Sequence, residues 1–115
     1  MESQQIWSRV QEKFASILVL RGPEVHLLKV TGLSLTLKSK VQRVLEALQQ
    51  GQNPVDAGAK PVETLDARGI SKAEVSPGNG SLTLYGEGDT PRKLTFATAD
   101  SKADEILQAI LAQSG

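Results

Sequence analysis

Apolar and polar positions alternate with a period of two over three runs in the last third of the chain. In 71–75, Ala73 and Val75 oppose Lys72 and Glu74. In 81–85, Leu82 and Leu84 oppose Thr83 and Tyr85. In 92–97, Leu94 and Phe96 form the apolar side. This pattern predicts strands of a sheet with one wet face. Pro77-Gly78-Asn79-Gly80 and the loop 86–91 supply turn chemistry between the runs, and such short connections predict antiparallel neighbours. The period then changes. Asp100 or Ser101 can cap a helix in which Ala103, Ile106, Leu107, Ile110 and Leu111 share one face, with Asp104 and Glu105 in its first turn. That stripe is expected to cover the inward leucines of the strands, with 113–115 as a frayed tail.

The first half reads differently. Ile6, Val10 and Phe14 fall on one helical stripe with Trp7 beside it and Ser3 able to cap, which predicts a helix over 3–14. The run 15–20 is ambiguous. Its Ile-Leu-Val core suits a buried strand, yet Ile17 and Leu18 continue the stripe from Phe14; the pattern leans to helix, then strand. A strand is expected over 25–30 and a turn at Thr31-Gly32, followed by strict alternation of leucines over 33–37. Leu37, Val41, Val44, Leu45 and Leu48 predict a helix over 38–50, closed by Gly51. Residues 52–61 read as a loop, and 62–67 as a strand turned by Arg68-Gly69 into the three-strand unit. The expected class is α+β, in a single domain of residues 1–115.

Composition narrows the chemistry. The chain has 115 residues, 39% of them hydrophobic and 23% charged, enough to order a core. It has no cysteine, which excludes disulfides and thiolate chemistry. Thirteen basic and thirteen acidic residues cancel, so nucleic acid and anionic lipid have no global electrostatic claim on it. Aromatic residues are 3%, thin for stacking single-stranded bases. The apolar run Ile17–Leu20 is far too short to span a bilayer. The expectation is a cytoplasmic protein with no cofactor and no metal.

Few residues suggest a site. His26 is the one histidine, with Glu24 on the same strand face; an enzyme would need it joined to a carboxylate such as Glu63 or Glu74. Gly78-Asn79-Gly80 and Gly86-Glu87-Gly88 lack the continuation of a phosphate loop and are read as turns. Glu87 and Asp89 are too few for a dedicated calcium site. Lys38, Lys40 and Arg43, with Arg92 and Lys93, form an anion site if they converge in space. Trp7 and Tyr85 are the candidate interface residues.

Residues 70–77, 81–86, 93–96 and 104–111, in that order, resemble the closing half of pleckstrin-homology-like domains, especially small bacterial ones. The likeness covers 62–111. It implies a bent antiparallel sheet of about seven strands, a barrel or half-barrel, capped by the C-terminal helix. A helix over 38–50 would be an insertion in that pattern, and one over 3–14 an addition. The basic cluster that phosphoinositide-binding members carry between their first two strands is reduced to Arg21 within 21–24. The resemblance therefore implies a platform for peptides and proteins more than a lipid-headgroup site. The expected function is a small non-catalytic interaction module that binds protein partners or its own copies. The alternative is a binder of an anionic small molecule or headgroup through the five cations.

Overall fold

The run Phe14–Arg21 is apolar on both parities because both faces of its sheet are covered, and it organises the molecule. In the computed structural model, which describes residues 4–11, 13–32, 34–76, 78, 80–86, 93–97 and 102–114, this run is the second strand of a four-stranded antiparallel sheet. The strands are β1 (Gln4–Val10), β2 (Phe14–Arg21), β3 (Glu24–Thr31) and β4 (Lys60–Asp66), in the order β1-β2-β3-β4. A second antiparallel sheet has the order β5 (Ile70–Val75), β6 (Ser81–Gly86), β7 (Lys93–Ala97). Helix α1 (Ser34–Gln49) lies between β3 and β4 in the chain, and α2 (Ala103–Ser114) ends it. The class is α+β; the described residues form two separate sheets and no closed barrel.

Each face of the first sheet has its own core. Ala15, Ile17, Val19, Leu28 and Val30 point to the outer face and meet Leu37, Val41, Val44 and Leu48 of α1. Leu18, Leu20, Val25, Leu27 and Leu65 point to the inner face. There they meet Leu82, Leu84, Leu94 and Phe96 of the second sheet and Ala103, Ile106 and Ile110 of α2. The expected cover of the three-strand unit by the last helix is what forms, although Leu111 is 46% exposed rather than inward. Asp104 and Glu105 stand in the first turn of α2, and the helix runs to Ser114, into the segment expected to fray. The capping residues Ser3, Asp100 and Ser101 lie outside the described residues, as do Glu87, Asp89 and Arg92.

Three expectations change. The helix over 3–14 is instead β1, a reversal between Gln11 and Phe14, and the start of β2. Ile6 and Val10 fit a helical stripe, but they also share strand parity. Pairing with β2 buries Ile6 against the outer core while Trp7 packs on the inner one. Tertiary cover on two faces outweighs the local pattern. The run 15–20, left between helix and strand, is strand throughout. Of the alternating leucines of 33–37, Leu35 and Leu37 belong to α1, which starts four residues before the expected 38; Leu33 lies outside the described residues. Leu37 is fully buried while Leu35, two positions earlier, is 94% exposed, the signature of a helical rather than a strand period. Gly51 follows α1 with φ 74°, the left-handed geometry that ends helices.

Candidate functional site

The helix cations do not converge with Lys93. Lys38, Lys40 and Arg43 are exposed on α1, over the outer face of the first sheet. β7 belongs to the second sheet, against the inner face. The four-stranded sheet therefore stands between them. Within α1 itself, Lys38 and Arg43 lie about 140° apart around the axis. Lys40 turns back to donate to the Thr31 carbonyl at 3.2 Å. Arg92 lies outside the described residues.

Lys93 instead joins Tyr85 on the outward face of the second sheet. Lys72, Tyr85 and Lys93 form one row across β5, β6 and β7. The two ammonium groups lie 5.5 and 5.9 Å from the Tyr85 ring centroid. Lys72 is also paired with Glu74 at 2.8 Å, and the Tyr85 hydroxyl donates to Glu74 at 3.4 Å. The Lys72 hydrogen bond holds the Glu74 carboxyl below its ordinary range. The group holds two ammonium groups against one carboxylate, and its one acid is already paired with Lys72.

His26 sits on the outer face of β3. Its Nδ1 is 3.2 Å from Thr64 Oγ1, and its Nε2 is 3.4 Å from Glu24 Oε2. Glu63 pairs with Leu27 and so takes the opposite face, and Glu74 belongs to the second sheet. Neither joins the histidine. Beside His26 a cleft of about 210 Å³ opens between the sheet and the segment after α1. Val19, Leu28 and Leu48 floor it, and Pro54 and Val55 form one wall, with Arg21 and Asn53 at its margins. Asn53 accepts from the Val55 amide at 3.0 Å. Arg21 gives Nε and Nη2 to Gln4 Oε1 at 3.0 and 2.6 Å, and Gln4 donates to the Leu48 carbonyl at 3.0 Å. The cleft rim thus combines one guanidinium, the Glu24 carboxylate and the negative end of α1, which gives no strong field for an anion.

The edges of the sheets differ more than their faces. In β4 the register with β3 shifts between Leu27 and Leu28, so that Val62 is the extra residue and Pro61 stands opposite Leu28. The Thr64 amide, whose partner His26 pairs with β2, is taken by the Glu63 carboxylate at 3.0 Å. β4 also packs near β7. β5 carries a second register shift, between Ile70 and Lys72, and β7 is five residues long and opens on Lys93. Bulges, proline, lysine and brevity are the devices that blunt a strand edge.

β1 has none of them. Its sequence, Gln-Gln-Ile-Trp-Ser-Arg-Val, pairs with β2 over seven consecutive residues without a shift. The Gln11 amide donates to the Phe14 carbonyl at 2.8 Å, which fixes the phase of the ladder. Gln5, Trp7 and Arg9 turn their backbone groups to β2; Gln4, Ile6, Ser8 and Val10 turn theirs to the open side. Among the described residues β2 is the sheet neighbour of β1, and no other strand adjoins it. Val10, at this edge, is 42% exposed.

Trp7 is half-buried against the inner core, so it is part of the fold and also borders this edge. A helix over 3–14, which the sequence predicts, has no sheet edge to offer. The shared parity of Ile6 and Val10 is a signal for the strand itself, not for its place at the edge. Among the described residues, no group of three His, Asp or Glu side chains could hold a metal ion, and no helix is long and apolar enough to cross a membrane. The chain matches no protein-family model, and no curated protein or solved structure gives a significant match.

Proposed function

We propose that the protein is a small binding module that takes up an extended protein segment along β1, within a pleckstrin-homology-like architecture. The architectural part is supported by a four-strand meander followed by a three-strand meander, with the last helix against the inner leucines. α1 then stands as an insertion between the third and fourth strands. The single observation that carries the binding part is the contrast of edges: among the described edge strands β1, β4, β5 and β7, β1 alone is long, unshifted and free of proline and lysine. Outward amides and carbonyls of such a strand template another strand, with backbone bonds giving affinity and alternate side chains giving selectivity. The anion-binding alternative loses support from the separation of Lys38, Lys40 and Arg43 from Lys93.

Amide hydrogen exchange tests the reading. The chain is followed as more strand is supplied, either as the chain itself or as a synthetic peptide of residues 4–10. The amides of Ile6, Ser8 and Val10 are expected to slow, while those of Gln5, Trp7 and Arg9 are slow from the start. Outward amides that exchange at a free-edge rate under every condition would overturn the reading. So would outward amides already as slow as that of Trp7 in the dilute chain.

A further inference from the structure

Resting on that reading, we infer that the partner strand is β1 of a second copy of this chain. The two strands run antiparallel about a twofold axis through Trp7, joining two four-stranded sheets into one of eight.

The phase of the ladder limits the pairing. Only residues with outward backbone groups can exchange hydrogen bonds across the new edge, so Gln4, Ile6, Ser8 and Val10 of one copy must face the same set in the other. Several twofold registers meet this condition, but only one uses the whole strand. It sets Gln4 opposite the partner's Val10, and Ile6 opposite the partner's Ser8. Between these lie the closer, non-bonded pairs, Gln5 with the partner's Arg9 and Trp7 with the partner's Trp7. A shift centred on Ile6 or Ser8 keeps five pairs instead of seven.

Side chains favour the same register. Arg9 is the one charged residue of β1, and this pairing sets it against an amide rather than its own copy. On the outer face, Ile6 lies diagonal to the partner's Val10, which covers a valine that is 42% exposed in the single chain. On the inner side the half-buried Trp7 meets its copy at the axis, where a large aromatic contributes most to an interface. Two chains of zero net charge carry no long-range repulsion. A contact of one strand per copy is small, so the dimer is weak and reversible.

The absence of cysteine makes a direct test clean. Gln5→Cys and Arg9→Cys chains are prepared separately, both changes being on a strand whose fold contacts run through Ile6 and Trp7. Non-bonded antiparallel pairs bring Cβ atoms into disulfide range. Mild oxidation of the mixture is expected to give the mixed dimer in excess over either homodimer. Sedimentation of the unaltered chain from about 10 μM to about 1 mM, the span of weak association, is expected to show mass rising toward a dimer. Ser8→Lys places two lysines diagonally across the axis and is expected to raise the dimer Kd at least tenfold. Val62→Lys, on the blunted β4 edge, is expected to leave it unchanged.

A monomer at every concentration with no mixed disulfide would overturn the second copy as partner. The strand-addition reading would then survive only if the 4–10 peptide still slowed the outward amides. A dimer that responds to Val62→Lys and not to Ser8→Lys would also overturn the inference, since its contact would lie elsewhere.

Discussion

The first sheet is covered twice, and the two covers are built differently. The outer one is local: α1 follows β3 directly, and its cluster draws on residues from Ala15 to Ala59. The inner one is assembled from distant parts, with β2 and β3 meeting the second sheet and the final helix, from Leu18 to Ile110. A helix can lie down on a neighbouring sheet as soon as that sheet exists. The inner core exists only when both ends of the chain are in place. The inner cover is thus expected to set global stability, and the outer one to tune the cleft and the β1 edge beside it.

Matched leucine truncations would break or sharpen this contrast. Leu84 and Leu37 are both fully buried, one on each side. Leu84 is flanked by Ala73 and Leu94 on the neighbouring strands and sits in the same cluster as α2, so its site has little room to collapse. Leu84→Ala is expected to cost about 4 kcal/mol, near the upper part of the range for such changes. Leu37→Ala is expected to cost about 2–3 kcal/mol, because the first turn of α1 can settle toward the sheet. Denaturant unfolding followed by Trp7 fluorescence and by far-UV circular dichroism measures both. Equal costs would remove the distinction. Two transitions instead of one would show that the covers unfold separately.

A smaller effect isolates the end of the outer cover. Gly51 has φ 74°, and a Cβ placed there meets nothing within 4 Å. Gly51→Ala therefore tests backbone conformation alone and is expected to cost about 1 kcal/mol. The loss should appear as faster exchange at the C-terminal turn of α1, with the amides of β6 changed only through global stability.

The inner cover was the more legible of the two in the sequence, because each of its pieces carries a single period. Leu82, Leu84, Leu94 and Phe96 can be read only as strand, and Ala103, Ile106 and Ile110, three and then four apart, only as helix, and all are buried where expected. The first forty residues serve two periods at once. Ile6 and Val10 are four apart, which suits a helix, and an even number apart, which suits a strand; only a covering layer on each side decides. Leu35 and Leu37 pose the reverse case, an alternation that α1 overrides. The candidate site suffered from the same ambiguity. An open edge is a property of strand order, which no local pattern encodes, and a helix over 3–14 has none. The division of the cationic set has a related cause, since sequence cannot say that a sheet lies between Lys40 and Lys93.

The smallest predicted effect lies at the turn where the chain leaves the first sheet for the second. The Ala67 amide donates to the Pro23 carbonyl at 2.7 Å, which ties this turn to the β2–β3 hairpin, and Ala67 itself belongs to the inner core. Asp66 precedes it and accepts from the Arg68 side chain, at 2.8 Å from Nη2, and from the Arg68 backbone amide at 2.8 Å. The side-chain bond first, and the backbone bond second, lower the Asp66 carboxyl from 3.8 to about 2. A lowered carboxyl favours the folded state wherever it is ionised. Its contribution is complete above the ordinary carboxylate range and is lost as pH falls from about 4 to about 2. Both groups are in solvent, so the effect on stability is slight, and the carboxyl titration followed by NMR is the sensitive measure. Arg68→Ala removes the guanidinium and keeps the amide, so the Asp66 midpoint is expected to rise only partway, remaining below 3.8. A full return would mean that the backbone bond does not form in solution. The fastening of the turn would then rest on Ala67 and Pro23 alone, and the inner cover would be more loosely joined to the first sheet than the outer one.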